Sequence, residues 1–122
     1  MKTWTGQYLM EGHTVGRGAR DGNTSTFRLG VIERLIEDKG KVRVHWLYER
    51  RTKWVGERPD REAVEYAHEV DSHGTCDVHS LFHVQLAGLD PALKGRLMQH
   101  AIKYSVALAG DEPAGARSEG TA

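Results

Sequence analysis

Strict alternation of apolar and polar side chains over residues 41–48 is the feature that most constrains what this chain can fold into. Successive side chains of a β-strand point to opposite faces of its sheet, so this period of two predicts a strand buried on one side. The side chains predicted to point inward are Val42, Val44, Trp46 and Tyr48. Those predicted to point outward are Lys41, Arg43, His45 and Leu47.

Turn chemistry ahead of this strand predicts a β-hairpin. Residues 38–40 form a turn whose last residue, Gly40, tolerates a positive φ. Residues 29–36 are apolar and partly β-branched, which favours a partner strand with a bulge where its alternation breaks. The alternative is a short helix ended by Gly40. Its apolar stripe would be Val31, Ile32, Leu35 and Ile36.

Composition limits the class of protein. With 122 residues and 39% apolar content, the chain fits one domain with a single modest core. The one cysteine, Cys76, predicts a reducing compartment. Residues 1–13 lack the continuous apolar core of a signal peptide, and no segment is as apolar as a membrane span. We therefore predict a cytoplasmic protein without a membrane partner and without a cofactor.

The hairpin carries a resemblance to a known fold family. Residues 30–32, Gly-Val-Ile, and residues 40–46, Gly-Lys-Val-Arg-Val-His-Trp, resemble the G-x-V…G-x-V-x-V-x-W hairpin of SH3-like barrels of the Tudor, chromo-barrel and KOW type. The resemblance implies a mainly β fold in which residues 13–20 are the first strand and residues 78–84 the turn and last strand. Such barrels bind extended peptides, modified side chains or nucleic acid.

One α-helix is predicted after the strands. Asp90 is a suitable N-cap, Pro91 suits the first helical position, and Gly110 suits the end. The apolar stripe expected to pack on the barrel is Leu93, Leu97, Ala101, Tyr104 and Leu108. The predicted organisation is an arm at residues 1–12, a barrel at 13–86, the helix at 87–110 and a disordered tail at 111–122.

Two segments between the hairpin and the helix are less regular. Residues 49–53 are highly charged and are expected to form a turn after the central strand. Residues 60–70 fit either one or two helical turns capped by Asp60, or a strand through Val64 and Tyr66.

A basic surface is the first candidate site. Residues 39–61 contain eight Lys or Arg residues against three acidic ones. Such a surface can contact phosphates while an aromatic ring stacks on a base. The alternative is a solvated strand face whose charge is balanced by the acidic second half of the chain. The predicted contact residues are Lys41, Arg43, His45, Arg50, Arg51, Lys53 and Trp54.

The function that the sequence favours is thus a non-catalytic module that binds nucleic acid, and two other functions compete with it. The helix has a second apolar flank, Met98, Ile102 and Val106, which favours a protein partner or a homo-oligomer, as in a small bacterial or phage assembly factor.

Four residues of metal-ligand type, spaced three, three and four residues apart, favour a zinc site. Its ligands would be His73, Cys76, His79 and His83. The P-loop, G-x-S-x-G and H-E-x-x-H motifs are absent from the sequence, so an enzyme is not predicted.

Overall fold

Five antiparallel strands and one α-helix make up the described part of the fold. The computed structural model describes residues 1–21, 24–56 and 62–111, with the backbone alone at residues 21 and 106–111. The strands lie side by side in the order β4-β3-β2-β1-β5. The elements are β1 (Thr14–Asp21), β2 (Thr24–Ile36), β3 (Lys41–Val55), β4 (Glu62–Asp77), β5 (Phe82–His83) and α1 (Pro91–Asp111).

The mainly β fold with a C-terminal helix is confirmed. The first strand pairs with the last, through Val15 opposite His83 and Gly16 opposite Phe82, and a 3₁₀ turn at Val78–Ser80 precedes that last strand. The sheet is nevertheless open, because β4 and β5 are its two edges and do not pair with each other. The predicted closure into a barrel is therefore wrong.

The predicted hairpin is formed by β2 and β3. Residues 29–36 belong to a strand, so the helical alternative is excluded. The two strands are joined by a 3₁₀ turn at Glu37–Lys39 and by Gly40, whose φ of 62° is the positive value that the turn requires. The register shifts between Ile32 and Arg34, so the bulge expected in this strand lies at Glu33.

A second bulge lies at Leu47, where the sequence predicts none. The register of β3 shifts between Trp46 and Tyr48 against β4, and one residue is inserted opposite β2 as well. The inserted residue reverses the phase of the strand, so Tyr48 faces away from Trp46 and the prediction that they share a face is wrong. Arg96 of α1 donates hydrogen bonds to the carbonyl oxygens of Leu47, at 2.5 Å, and Val70, at 2.9 Å.

Beyond this bulge the strands are longer than predicted. Residues 49–53 continue β3, so the charged turn predicted there is wrong. Within the described residues, 62–70 follow the strand alternative and begin β4, whereas Asp60 lies outside them. Ion pairs stabilise the charged segment, since Glu49 contacts Arg28 across the strands and Arg51 within β3 itself.

The sheet buries apolar side chains on both faces. One face packs against α1, and we call it the helix face; the other packs against the N-terminal arm, and we call it the arm face. The core of the arm face consists of Leu9, Val15, Ile32, Val42, Val44, Trp46, Val78 and Leu81. The core of the helix face consists of Leu29, Val31, Leu47 and Leu97.

The helix begins as its sequence predicts. The Asp90 carboxylate accepts a hydrogen bond from the backbone N–H of Ala92 at 2.9 Å, and Pro91 is the first helical residue. The members of the predicted stripe whose side chains are described pack against the helix face; they are Leu93, Leu97, Ala101 and Tyr104. The helix continues through Gly110, its predicted end, to Asp111, which was predicted to begin the disordered tail at 111–122. The rest of that tail and the side chains of Val106 and Leu108 lie outside what the structure describes.

The N-terminal arm folds back on the sheet. Leu9 is fully buried, its N–H donates to the carbonyl of Met1 at 2.7 Å, and the N–H of Gly12 donates to the carbonyl of Ile32 at 2.9 Å. The His13 ring accepts a hydrogen bond from the N–H of Met10 at 3.2 Å. Among the described residues, no helix has the length and apolar character needed to cross a membrane.

Mild acid is expected to weaken the attachment of this arm. Burial, and next the neighbouring His83 ring at 4.6 Å, lower the pKa of His13 below its ordinary 6.5. Folding therefore favours the neutral ring, so this contribution to stability is complete above pH 6.5 and is lost as the pH falls through the folded pKa. We expect the urea midpoint to fall between about pH 7.5 and about pH 5.5, and to fall less in His13→Gln. Equal falls in the two proteins would contradict this assignment.

Candidate functional site

The basic residues predicted from the sequence do not form one surface. Because side chains alternate along β3 and the bulge at Leu47 reverses the phase, the set divides between the two faces. Arg51 and Lys53 lie on the arm face. The members on the helix face are Lys41, Arg43, His45, Arg50 and Trp54.

The predicted residues on the helix face are engaged with neighbouring side chains. The Nζ of Lys41 lies 4.0 Å from Oδ2 of Asp77, and Arg50 forms an ion pair with Glu65. His45, which the sequence places outward, is only 5% exposed because α1 covers it. This half of the predicted surface therefore offers little uncompensated charge to a phosphate.

Four basic side chains instead come together on the arm face, at the end of the sheet away from its core. Cross-strand pairing aligns Arg17, Arg28, Glu49 and His68 in one row. The next row contains Ala19, Thr26, Arg51 and Tyr66, and Lys53 lies in the row after that. We call Arg17, Arg28, Arg51 and Lys53 the basic cluster. In its first two rows, Glu49 is the one acidic side chain among the described residues.

Glu49 organises the basic cluster. Its side chain is 7% exposed; Oε1 lies 2.9 Å from Nε of Arg28, and Oε2 lies 3.2 Å from Nη2 of Arg51. His68 also approaches Oε2, at 3.5 Å. These contacts hold the guanidinium groups of Arg28 and Arg51 in place. The negative charge of Glu49 also offsets the repulsion between these neighbouring cations. Arg17 and Lys53 form no ion pair with any residue whose side chain is described.

The guanidinium groups retain unused donors. Buried Nε atoms of Arg17 and Arg51 have no hydrogen-bond partner among the described residues. Each arginine also carries terminal nitrogen donors, and Arg28 and Arg51 keep 40% of their side chains exposed. The terminal nitrogens of the exposed arginine side chains are therefore the donors available for an anion that approaches from solvent.

Exposed aromatic side chains adjoin the basic cluster. Tyr66 of β4 pairs with Arg51 and is 46% exposed. The Tyr66 and His68 rings lie 6.2 Å apart with their planes tilted by 30°. Trp54, the aromatic residue predicted from the sequence, lies on the opposite face. Tyr66 is thus an exposed aromatic ring on the same face as the cations.

A second group of polar side chains lies where α1 covers the helix face. His45 and His73 are paired across β3 and β4, and their rings stack with centroids 4.0 Å apart. The Nε2 of His45 lies 2.5 Å from Oδ1 of Asp71, and its Nδ1 lies 2.7 Å from the Tyr104 hydroxyl. The histidine cluster consists of Glu33, His45, Asp71, His73, His100 and Tyr104.

Crowding shifts the acidity of several groups in the histidine cluster. The hydrogen bond from His45 lowers the pKa of Asp71. Burial, and next the nearby His45 ring, lower the pKa of His100, whose buried Nδ1 has no partner among the described residues. Burial, and next the Glu33 carboxylate, raise the pKa of Tyr104. Near neutral pH these shifts favour an ionised Asp71 beside a neutral His100 and a neutral Tyr104.

The four zinc ligands considered from the sequence are not brought together. His73 lies on the helix face, whereas Cys76 pairs with Val42, packs against the arm-face core and has its thiol pKa raised by burial. His79 is exposed in the 3₁₀ turn, and His83 stacks on His13 at 4.6 Å. Of this set, His73 alone belongs to the histidine cluster.

Several residues of both clusters were not predicted as site residues. Arg17 and Arg28 lie in strands that pair with each other, and only their register places them beside Arg51. Glu33 and Asp71 are ordinary acidic residues in the sequence, and Tyr104 was assigned only to the packing stripe. The position of Arg17 could have been predicted in part, because residues two apart in a strand lie on the same face and Arg17 therefore shares the face of Val15.

Comparison of the chain with protein-family models, with curated proteins and with solved structures found no match. The function is therefore inferred from the geometry of the chain's own residues.

Proposed function

We propose that this chain is a non-catalytic module that binds single-stranded nucleic acid through the basic cluster. The observation that carries the proposal is the arrangement of Arg17, Arg28, Arg51 and Lys53 on one sheet face around the buried carboxylate of Glu49. A phosphate backbone is the polyanion whose repeated charges suit a row of fixed guanidinium groups.

The register of the strands supports an extended ligand. Neighbouring strands lie about 4.8 Å apart, so cations on adjacent strands present charges at intervals that a flexible backbone can follow. Arg28 and Arg51 are held in place by Glu49, which reduces the side-chain entropy lost on binding.

An exposed ring beside the cations favours single strands over duplexes. A base that is not paired can stack on Tyr66, and such stacking contributes about 1–3 kcal/mol per base. The sheet presents this ring at its edge strand, where an unpaired base can reach it. Stacking of this kind is tolerant of sequence, so we expect little base preference.

The proposal is tested by fluorescence anisotropy of labelled single-stranded DNA and RNA probes at about 50 and about 200 mM salt. Four phosphate contacts give a slope of about −2.8 in log affinity against log salt, so affinity is expected to fall about 50-fold. A duplex of the same sequence serves as the comparison and is expected to bind more weakly. If no probe binds at the lower salt concentration, the proposal is wrong.

A second candidate function is self-association through the outer side of α1. Met98 and Ile102 lie one turn apart and are 43% and 57% exposed. Side chains of this size on one helix face suit contact with the same face of a second copy. Sedimentation velocity should then show a mass that rises with concentration in wild type but not in Ile102→Lys. A wild-type protein that is monomeric at all concentrations contradicts this candidate.

A further inference from the structure

Three metal-ligand side chains converge beneath α1, on the sheet face opposite the basic cluster. His45 comes from β3, and Asp71 and His73 come from β4. Their ligand atoms all lie within 4.8 Å of one another. His45 is buried and Asp71 is exposed, so the group lies at the boundary between the packed helix and solvent.

The imidazole rings are oriented by a second set of contacts. The Nδ1 of His73 donates to Oε2 of Glu33 at 2.5 Å, which leaves the Nε2 lone pair available. The Nδ1 of His45 meets the Tyr104 hydroxyl, which can accept or donate and therefore suits either tautomer of the ring. In metal sites, the ring nitrogen of histidine that does not bind the metal usually forms a hydrogen bond with a neighbouring polar group such as a carboxylate.

The bulge at Glu33 is part of this arrangement. It inserts Glu33 between Ile32 and Arg34, and the Glu33 carboxylate lies beside both His73 and Arg43. Bulges commonly redirect a side chain next to a functional site. The local irregularity of β2 therefore orients a ring that belongs to β4.

We propose that His45, Asp71 and His73 bind one divalent transition-metal ion of the zinc class. Two imidazole nitrogens and one carboxylate oxygen suit zinc, whereas calcium and magnesium prefer sites made of oxygen alone. Three protein ligands leave a fourth position for water or another ligand, and 72% exposure of the Asp71 side chain places that position near solvent. Glu33 and Tyr104 are positioning residues that act through the two rings.

The test is zinc titration of the full chain, freed of any affinity tag and treated with chelator, by isothermal titration calorimetry. Wild type is expected to bind one Zn²⁺ per chain. Removing a residue that only hydrogen-bonds to a metal ligand commonly lowers metal affinity about 10- to 100-fold. Removing a ligand itself, in Asp71→Asn or His73→Gln, should lower it at least that much. Both side chains are exposed enough for the variants to be expected to fold.

A matched control lies in the same region of the chain. Asp77 and His79 repeat the spacing of Asp71 and His73 but lie outside the histidine cluster. Asp77→Asn and His79→Gln should leave zinc affinity unchanged. If they weaken binding as much as the cluster variants do, or if wild type binds no more zinc than the Asp71→Asn/His73→Gln double variant, the site is refuted.

Cobalt provides a test that needs no variant. Substituted Co²⁺ reports its ligands by absorption, and thiolate ligands add a near-ultraviolet charge-transfer band. The proposed ligands include no sulfur, so wild type should show the visible bands of a nitrogen and oxygen site without that band. A thiolate band would instead implicate Cys76 and overturn the assignment.

Discussion

Replacing Leu97 with alanine is expected to lower the free energy of unfolding by about 2–5 kcal/mol. Leu97 is fully buried and belongs to the helix-face core with Leu29, Val31 and Leu47. The substitution removes apolar contacts and leaves a cavity between α1 and a sheet whose backbone is held by its ladder. Since a small domain is stable by only about 5–15 kcal/mol, the loss is a large share of the total. Urea denaturation followed by circular dichroism measures it.

Met98 provides the matched control for this experiment. It is the next residue in the same helix, its side chain is 43% exposed, and alanine preserves helix propensity at either position. Met98→Ala is expected to change stability by no more than about 0.5 kcal/mol. Similar losses in the two variants would mean that α1 does not pack on the sheet through Leu97.

The elements of the fold were largely readable from local sequence patterns. Alternation over residues 41–46, the turn before Gly40 and the Asp90 cap each have a physical cause within a few residues, and each appears as predicted. The inserted residue at Leu47 has no such signal, because Leu47 is apolar and both of its neighbours are aromatic. Its presence depends on packing against α1 and on Arg96, which lies 49 residues away.

The open sheet has a similar explanation. The charged residues 49–53 favour a turn when they are considered alone, yet Glu49 and Arg50 pair across the strands with Arg28 and Glu65. These pairs allow β3 and β4 to continue as a long ribbon beyond the core. Closure into a barrel is thus decided by pairing between distant segments, which a single local pattern does not reveal.

The candidate sites were predicted only in part for the same reason. Arg51 and Lys53 were recognised from local charge density, and both belong to the basic cluster. Arg17 joins them only because β1 pairs with β2 in one particular register. Likewise, His45 and His73 are 28 residues apart in sequence and meet only through the register of β3 and β4.

Changing both Arg17 and Lys53 to glutamine is expected to weaken binding of a single-stranded probe about 50-fold at about 50 mM salt. These two cations form no ion pair with any residue whose side chain is described, and their loss leaves the contacts of Glu49 with Arg28 and Arg51 intact. Each lost phosphate contact reduces the magnitude of the salt slope by about 0.7, so the double variant should lose about 1.4 from the wild-type slope. Anisotropy titrations over a series of salt concentrations measure both quantities.

The control for this variant carries the same change in net charge. Arg50→Gln/Lys39→Gln also removes two positive charges, but Arg50 lies on the helix face and Lys39 lies in the turn between β2 and β3. If binding depends on the basic cluster, the control should retain nearly wild-type affinity and slope. Long-range attraction does not distinguish the two faces of a thin sheet. If both double variants lose affinity equally, overall charge therefore governs binding, and the basic cluster is not a specific phosphate site.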